Sequence, residues 1–358
     1  MRRFLLSGLV FLAILLLYLL FWPVPIDPVA WEAPQAPETG PGSVWAERRS
    51  QINVEALELG GYSGPESIAF DANGILYSGT EEGDVLRRVG QSFEVFARTE
   101  GRPLGLKFDA GGNLFVADGV RGLLRVDPSG QVEVLLGEVD GEAFGFADDL
   151  DISRQTGRIY LSDASTRFPV TEYGADWASQ LDIVEHRGSG RLIEFDPNTG
   201  QARTLLSGLN FANGVALSAN EDSVLICESG MYRVLRYWLR GPRAGSSEVF
   251  LENLPGFPDN ITRSGTSYWL ALAAPRNQAL DSLSGSSFLR RLTLRLPAFM
   301  RPAAAPYTHV AQFDQDGVLL GSYEEAGGRV PFTTSAIEHG GAVYLGSLHG
   351  GTVGRFSP

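Results

Sequence analysis

Asp71-Ala-Asn-Gly-Ile-Leu-Tyr77 is a polar turn that contains a glycine and runs directly into a short apolar strand. Turn residues followed by alternating apolar residues favour a strand over a helix. Five later segments repeat the pattern: Asp109–Phe115, Gln155–Tyr160, Asn220–Leu225, Ser264–Trp269 and Gly340–Tyr344. Apart from two longer gaps the step is roughly 40 residues, about the length of one four-stranded blade. The sequence therefore predicts an all-β fold, a six-bladed β-propeller.

The two longer gaps hold inserts around residues 164–190 and 275–310. The second insert contains Ser287–Met300, which mixes leucine and phenylalanine with three arginines and no acid. Such a segment can form an amphipathic helix with a basic face. Three interpretations remain open for it: a helix on a membrane surface, a lid over the propeller channel, or an ordinary helix packed on the propeller.

The N-terminus begins with Met1-Arg2-Arg3, after which Phe4–Trp22 carries no charge. At about 1.5 Å per residue this stretch makes roughly 28 Å of helix, enough to cross a bilayer. A cleaved signal peptide is the alternative, but it normally has a shorter apolar region and a small-x-small cleavage site. We predict that residues 1–22 are a retained transmembrane signal anchor. Its N-terminus would be cytoplasmic and the rest of the chain extracytoplasmic, either periplasmic or lumenal.

Residues 23–50 are rich in proline, alanine and glycine, which predicts a linker before a propeller at residues 51–358. The net charge of −13 argues against nucleic acid as a partner. Cys227 is the single cysteine, so an intramolecular disulfide is excluded, and its apolar neighbours predict a buried strand residue.

In a propeller the innermost strand of each blade lines a central channel, so residues at equivalent places in the repeats meet near one axis. Stepping back from each turn identifies Glu66, Leu104, Asp148 with Asp149, Asn213, Asp259 with Asn260, and Thr334. Clustered carboxylates repel one another and are costly to desolvate, and a bound cation removes that cost. Carboxylate and amide oxygens suit Ca²⁺. The alternative is that these side chains hydrogen-bond to loop backbones at the blade tops.

The same segments carry a resemblance to a known family. Phe146-Ala-Asp-Asp-Leu150, Gly190-Arg-Leu-Ile-Glu-Phe-Asp-Pro197, Phe211-Ala-Asn-Gly214 and Phe257-Pro-Asp-Asn260 are among its most specific matches. The chain resembles the strictosidine synthase-like family from about residue 55 to residue 356 and, more distantly, the paraoxonases and gluconolactonases. The resemblance implies a six-bladed propeller with a membrane anchor.

The resemblance to paraoxonases also implies a calcium site at Glu66, Asp148, Asn213, Asp259 and Asn260. In such enzymes the ion polarises an ester or lactone carbonyl. A second calcium is not expected, because Ser67 replaces one of its ligands, although Asp149 matches another.

Two departures from the relatives concern catalysis. Leu104 replaces a histidine of the paraoxonase dyad, and Thr334 stands where strictosidine synthase has its catalytic glutamate, so strictosidine synthesis itself is not expected.

Candidates for a general base are few. Asp118 and Asp163 follow equivalent blade strands, where they can either face the channel mouth or cap a hairpin turn; Asp149 is a third candidate catalytic residue. His339 and His349 flank the last blade strand, and a turn or packing role is favoured for both. No Gly-x-Ser-x-Gly motif supports a serine-hydrolase triad.

The leading functional hypothesis is a membrane-anchored, calcium-dependent hydrolase of small-molecule esters or lactones. It would contact the membrane through its N-terminal helix and also through residues 287–300. The alternative is a non-catalytic propeller that binds a ligand or partner and contains a structural calcium.

Overall fold

Each repeat of the sequence forms one antiparallel sheet, and the six sheets follow one another around a central channel. The computed structural model describes residues 2–358, so Met1, the first residue of the basic head, lies outside the described residues. The predicted six-bladed propeller is confirmed. Cys227 is buried in a strand of the fourth blade, as predicted.

The helices and strands are given in chain order. Before the first blade lie α1 (Arg2–Phe21), α2 (Val44–Glu47), β1 (Arg49–Gln51) and β2 (Glu55–Glu58). Blade 1 comprises β3 (Ile68–Phe70), β4 (Leu76–Gly79), β5 (Asp84–Val89) and β6 (Ser92–Arg98). Blade 2 comprises β7 (Pro103–Phe108), β8 (Leu114–Asp118), β9 (Gly122–Val126) and β10 (Val132–Leu136), and is followed by a hairpin of β11 (Glu138–Val139) and β12 (Glu142–Ala143).

Blade 3 contains the first insert. It comprises β13 (Ala147–Ile152), β14 (Ile159–Asp163), the helices α3 (Val170–Tyr173) and α4 (Ala175–Glu185), β15 (Gly190–Asp196) and β16 (Gln201–Leu209). Blade 4 comprises β17 (Ala212–Leu217), β18 (Ser223–Glu228), β19 (Arg233–Trp238) and β20 (Ser247–Leu251), with a 3₁₀ turn at Ser229–Met231.

Blade 5 contains the second insert. It comprises β21 (Gly256–Ser264), β22 (Ser267–Pro275), the helices α5 (Gln278–Ser282) and α6 (Ser287–Leu294), a 3₁₀ turn at Ala298–Met300, β23 (Thr308–Asp314) and β24 (Leu319–Glu325). Blade 6 comprises β25 (Thr333–His339), β26 (Ala342–Ser347) and β27 (Thr352–Phe356).

The N-terminal part of the chain closes the propeller. β2 pairs antiparallel with β27 as the fourth strand of blade 6, from Glu55 opposite Arg355 to Glu58 opposite Thr352. β1 adds a parallel fifth strand to blade 5 beside β24. Val54 and Leu57 are buried next to these pairings. The last blade is thus built from both ends of the propeller sequence, which leaves no unpaired seam between the first and last repeats.

The two inserts pack together over one end of the channel. Ala178 and Leu181 of α4 and Leu294 of α6 share a buried apolar cluster with Phe146 and Phe211 at the tops of the inner strands. We call α4, α5 and α6 the lid. Ser286 begins α6, because its hydroxyl accepts a hydrogen bond from the backbone N–H of Leu289 at 3.2 Å. Residues 287–294 therefore form the predicted helix, and it covers the channel.

The N-terminal helix is apolar on every side, and its span Arg3–Phe21 is long enough to cross a membrane. The chain that follows it does not leave the propeller. Ile26 is 4% exposed and joins the apolar cluster of the lid. We call residues 23–31 the strap; its proline-rich composition gave no sign of these contacts.

Candidate functional site

A β-bulge interrupts the inner strand of five blades at the residues that the repeat singled out. The bulges lie at Leu104, Asp148–Asp149, Asn213–Gly214, Asp259–Asn260 and Thr334–Ser335. A bulge inserts an extra residue and redirects the side chains around it. As a result, Asp148 and Asp259 face a cavity at the lid end of the channel, whereas Asp149 and Asn260 line a pocket at the other end.

Gly214 lies in one of these bulges and shows how closely neighbouring blades approach. A β-carbon added there would lie 2.5 Å from the Cα of Asn260 and from the backbone nitrogen of Ile261. The absence of a side chain at Gly214 thus lets the bulges of blades 4 and 5 pack directly against each other.

The cavity at the lid end has a volume of about 350 Å³. Its channel side is formed by Glu66, Asp148, Asn213 and Asp259, and its other side by the lid. A phenylalanine precedes an inner-strand site residue by two positions in four blades: Phe146, Phe211, Phe257 and Phe332, all of which line the cavity. We call this space the upper cavity. It combines an oxygen-rich base with apolar walls.

The carboxyl groups at this base are held away from solvent. Burial raises the pKa of Glu66 to about 7, while the nearby Arg102 guanidinium acts in the opposite direction. Burial, reinforced by the charges of Glu66 and Asp259, raises the pKa of Asp148 well above its usual range. The pKa of Asp259 is raised in the same way, by burial and then by Glu66. Without a cation, ionising all three of these carboxyl groups at once therefore costs free energy.

Several side-chain oxygen atoms at the base of the upper cavity are free to bind a cation. Asp148 Oδ1, Asn213 Oδ1 and Asp259 Oδ1 are buried at this base and have no hydrogen-bond partner. Asn260 follows Asp259 in the same bulge and lines the pocket at the other end, and its Oδ1 is also buried and unpartnered. Buried polar atoms are normally paired, and an ion is one reason for an exception. Carboxylate, imidazole and thiolate groups alone form no three-residue metal cluster within residues 2–358. A cation here consequently depends on the amide oxygens of Asn213 and Asn260, a hard, all-oxygen set that suits Ca²⁺.

Arg102 is the cation beside this cluster. Its Nη2 lies 3.4 Å from Glu66 Oε2, and its Nη1 donates to the backbone carbonyl of Gly64 at 3.0 Å. The hydroxyls of Thr334 and Ser335 both donate to the backbone carbonyl of Glu66 at 2.7 Å. Thr334 and Ser335 therefore orient the Glu66 loop.

The pocket at the opposite end of the channel is lined by Ser67, Asp149, Asn260 and Ser335, among others. Asp149 accepts a hydrogen bond from the backbone N–H of Val215 at 2.9 Å, which ties blade 3 to blade 4. Burial raises the pKa of Asp149 to about 7, although the hydrogen bond from Val215 lowers it. Asp149 is thus separated from the upper cavity and has a structural contact of its own.

Asp118 caps the hairpin turn after β8, which is the second of the two roles that the sequence left open, whereas Asp163 holds the loop that precedes β13. Asp118 Oδ1 accepts backbone N–H groups from Arg102, Val120 and Arg121, each at 3.0 Å. Asp163 accepts the N–H of Phe146 at 2.8 Å and forms an ion pair with Arg191 at 2.7 Å. Both are fully buried and neither lines the upper cavity. They hold the loops that lead into the inner strands.

The lid brings in cavity residues that the sequence reasoning did not select. Asp176 on α4 lines the upper cavity together with His349 from blade 6. His349 Nε2 lies 3.4 Å from Asp176 Oδ2, and its Nδ1 lies 3.3 Å from Glu81 Oε1. Burial raises the pKa of Asp176, while His349 acts in the opposite direction. His349 is thus a cavity residue, whereas His339 stacks on Phe70 at 3.9 Å, away from it.

The metal-free protein is expected to lose stability as the pH rises from about 4.5 to about 7. Glu66 has a folded-state pKa of about 7 against 4.5 for the free side chain, and Asp149 behaves alike. Because the folded state binds these protons more tightly, their stabilising contribution is present at low pH and is lost as the pH passes the folded-state pKa. Thermal unfolding in a chelator from pH 4.5 to 8 measures the effect.

Saturating calcium is the control for that experiment. An ion that occupies the site displaces the protons, so the downward slope should disappear or reverse. A metal-free profile without the downward slope would contradict the burial of these carboxyl groups as free acids.

The chain is similar to proteins of one known family. The family model described as strictosidine synthase matches residues 148–242, and that described as strictosidine synthase-like, N-terminal, matches residues 53–88. Adipocyte plasma membrane-associated protein from Salmo salar is 34% identical over 311 residues, which cover 80% of this chain and 73% of that protein. Strictosidine synthase-like 10 from Arabidopsis thaliana is 36% identical over 327 residues, covering 83% and 86%.

Solved structures show the same fold at low sequence identity. A gluconolactonase from Xanthomonas campestris superposes with a TM-score of 0.62 at 17% identity, covering 86% of this chain and 89% of its own. A calcium-binding protein, regucalcin, from Agrobacterium tumefaciens has a TM-score of 0.59 at 14% identity, covering 86% and 94%.

Proposed function

This chain belongs to the strictosidine synthase-like family, and on that premise we propose that it is a membrane-anchored, calcium-dependent hydrolase of esters or lactones. The observation that carries the proposal is the set of buried, unpartnered oxygens at the base of a mostly apolar cavity. The fold shared with a gluconolactonase and with a calcium-binding regucalcin supports it.

Glu66, Asp148, Asn213, Asp259 and Asn260 would hold the calcium. When bound, the ion would polarise the carbonyl of the substrate and stabilise the negative charge that develops on its oxygen. The phenylalanines that line the upper cavity exclude water and hold the acyl part of the substrate against the oxygen-rich floor of the cavity. Arg102 lies 3.4 Å from Glu66 and offsets part of the negative charge of that carboxylate.

A proton acceptor is needed for the attacking water. Outside the proposed ligand set, Asp176 and His349 are titratable groups that line the cavity as a contacting pair. An imidazole beside a carboxylate suits this task. Asp118, Asp163 and Asp149 remain the residues predicted from the sequence, but their hydrogen bonds give them positioning roles in this mechanism.

The N-terminal helix would anchor the chain as a single-pass membrane protein. The N-terminus would be cytoplasmic and the propeller would lie on the extracytoplasmic side, as the arginines at its start predict.

A non-catalytic propeller with a structural calcium is the second candidate. Leu104 and Thr334 favour this candidate, because they stand where the resemblance places catalytic groups of the relatives. Leu104 is a buried packing residue, and Thr334 donates a hydrogen bond to the backbone carbonyl of Glu66.

The deciding experiment measures hydrolysis of an aryl acetate and of a panel of lactones by the purified full-length chain. Turnover is expected with calcium, loss of turnover with EDTA, and recovery when calcium is restored. Calcium binding is measured separately by calorimetry. Bound calcium without turnover on any ester or lactone would contradict the hydrolase and leave the structural calcium.

A further inference from the structure

The strap joins the membrane helix to the lid through its backbone. The N–H of Asp27 donates to Glu185 Oε1 at 2.6 Å, and the N–H of Val29 donates to the carbonyl of Glu185 at 2.9 Å. Glu185 is the last residue of α4 and is buried, where it also pairs with Arg167 at 2.5 Å. The chain that leaves α1 is therefore fixed to the end of a lid helix.

The strap also joins the two inserts to each other. Ile26 packs in the apolar cluster with Leu181 of α4 and Leu294 of α6. The carboxylate of Asp27 pairs with Arg187, just after α4, and with Arg291 of α6. These contacts span both lid segments, so the strap holds the lid together where α1 ends.

Two of the three arginines of Ser287–Met300 are buried, and the third, Arg291, is paired with Asp27, so the basic face predicted from the sequence does not form. Arg290 is 1% exposed and donates to the carbonyls of Val184 at 2.7 Å and Ser284 at 2.9 Å. Arg295 donates to the carbonyls of Trp22 at 2.7 Å and Leu19 at 3.0 Å. The carbonyls in the last turn of a helix have no partners within it, so Arg295 caps α1.

What this insert exposes instead is apolar. Phe288 is 51% exposed and Leu289 39% on α6, and Phe299 is 87% and Met300 55% exposed just after it. Contiguous exposed apolar side chains on a protein surface indicate an interaction site. They lie on the segment that Arg295 joins to the end of α1, where Phe21 and Trp22 are exposed as well. Continuity with the membrane helix indicates that a bilayer covers this surface.

The same helix separates that surface from the upper cavity. Arg290, Thr293 and Leu294 line the cavity, while Phe288 and Leu289 face outward. The lid is thus a single helix thick at this point, and its inner face is continuous with the apolar walls around Phe146 and Phe211.

We propose that the lid rests in the membrane interface and that the upper cavity takes its substrate directly from the bilayer, as an ester or lactone with a long apolar chain. The substrate class rests on the proposed hydrolase function. The position of the lid rests on the strap, on Arg295 and on the exposed apolar side chains.

The substrate class is tested with the full-length chain in phosphatidylcholine vesicles, using a soluble aryl acetate and an aryl dodecanoate dissolved in the vesicles. The double variant Phe288→Ser/Phe299→Ser should keep its kcat/KM for the acetate and lose about tenfold or more for the dodecanoate, because interfacial binding scales with buried apolar area. Val134→Ser/Val249→Ser, at exposed valines of outer blade strands, is the matched control and should change neither value. Equal effects of the lid variant on both esters would overturn the proposal.

The position of the lid is tested without turnover. Cys227 is buried, so a cysteine introduced as Phe299→Cys can be labelled selectively with an environment-sensitive fluorophore, with Val249→Cys as the control. In vesicles the label at 299 should be quenched by lipid-borne spin labels and the label at 249 should not. Equal accessibility of both labels to water would overturn the membrane-resting lid.

The two failures can be told apart. Acetate turnover without a difference between the lid variant and the control contradicts bilayer access alone. Absence of turnover on either ester, with the label at 299 in the bilayer, contradicts the hydrolase and its substrate class and supports the position of the lid.

Discussion

Replacing Asp259 by asparagine is expected to weaken calcium binding by about two to four orders of magnitude and to abolish calcium-dependent hydrolysis. The substitution keeps an oxygen in place and removes one buried negative charge. Loss of one partner from a buried charge cluster costs about 3–5 kcal/mol, which corresponds to that change in affinity. Calorimetric titration of calcium into the metal-free protein measures the binding, and turnover of an aryl acetate measures the activity.

The same substitution is expected to stabilise the metal-free protein. Asp259 Oδ1 is buried without a partner, and burial together with Glu66 raises the pKa of its carboxyl group. Above pH 7 an uncharged amide at this position avoids both desolvation and repulsion. The variant should therefore unfold at a higher temperature than the native protein in EDTA and at a lower temperature in calcium.

Glu252→Gln is the matched control, because Glu252 is exposed and the substitution removes the same charge from the protein. It should leave calcium affinity, activity and both unfolding temperatures unchanged. If Asp259→Asn behaves like this control, Asp259 is not a calcium ligand, and the site proposed from the buried oxygens is wrong.

The propeller could be predicted because its cause is local and repeated. Segments such as Asp71–Tyr77 and Asp109–Phe115 combine turn residues with strand alternation, and each blade depends on its own copy. Closure of six copies around one axis then brings equivalent residues together, and for this reason the repeat alone was enough to select Glu66, Asp148 and Asp259.

The bulges could not be predicted, because they depend on register between strands. Asp148 and Asp149 are adjacent in the sequence, yet they face opposite ends of the channel. The pairs Asp148–Asp149 and Asp259–Asn260 were the available signal, since a run of two polar residues interrupts the alternation of an inner strand.

Residue type alone also could not separate capping from catalysis. Asp118 and Asp163 sit at equivalent strand ends, and an aspartate is suited both to proton transfer and to accepting backbone N–H groups. Glu228 repeats the role in blade 4, where it accepts the N–H of Asn210 at 2.9 Å. Recurrence of an acid at this place in three blades favours a scaffold role, because a catalytic base is needed once.

The lid depends on contacts between segments that are far apart in the chain. Asp27, Arg187 and Arg291 belong to three separate regions of the chain, and their ion pairs link the strap to both inserts. The sequence of Ser287–Met300 predicts a basic face because the partners of its arginines lie elsewhere in the chain. The carbonyls at the end of α1, which Arg295 binds, are one example.

Removing residues 1–58 is expected to prevent stable folding of the propeller. This change deletes β2, which is the outer strand of blade 6 and pairs with β27. It also removes Val54 and Leu57, and burying one such side chain contributes about 1.5–3 kcal/mol. A loss of this size, together with the strand pairing, is comparable with the total stability of about 5–15 kcal/mol of an ordinary domain.

Three truncated chains of decreasing length show which N-terminal segment the propeller needs in order to fold. Residues 23–358 lack only α1 with its flanking Met1 and Trp22. Residues 32–358 also lack the strap, and residues 59–358 lack β1 and β2 as well. The first two should unfold cooperatively, because both retain the strands that close blades 5 and 6. The third should show loss of the cooperative transition and aggregation, since β27 becomes an unpaired edge. Circular dichroism and light scattering during heating measure both properties.

A peptide of residues 44–58 supplies the decisive test. It contains β1 and β2, and also Trp45, which is buried in the cluster between blades 4 and 5. Added to residues 59–358 during refolding, the peptide should restore a cooperative transition, whereas the same peptide with Leu57→Asp should not, because the charge would be placed in a buried position beside β27. A cooperative transition of residues 59–358 alone would show that three strands suffice for blade 6 and that ring closure does not depend on the N-terminal strand.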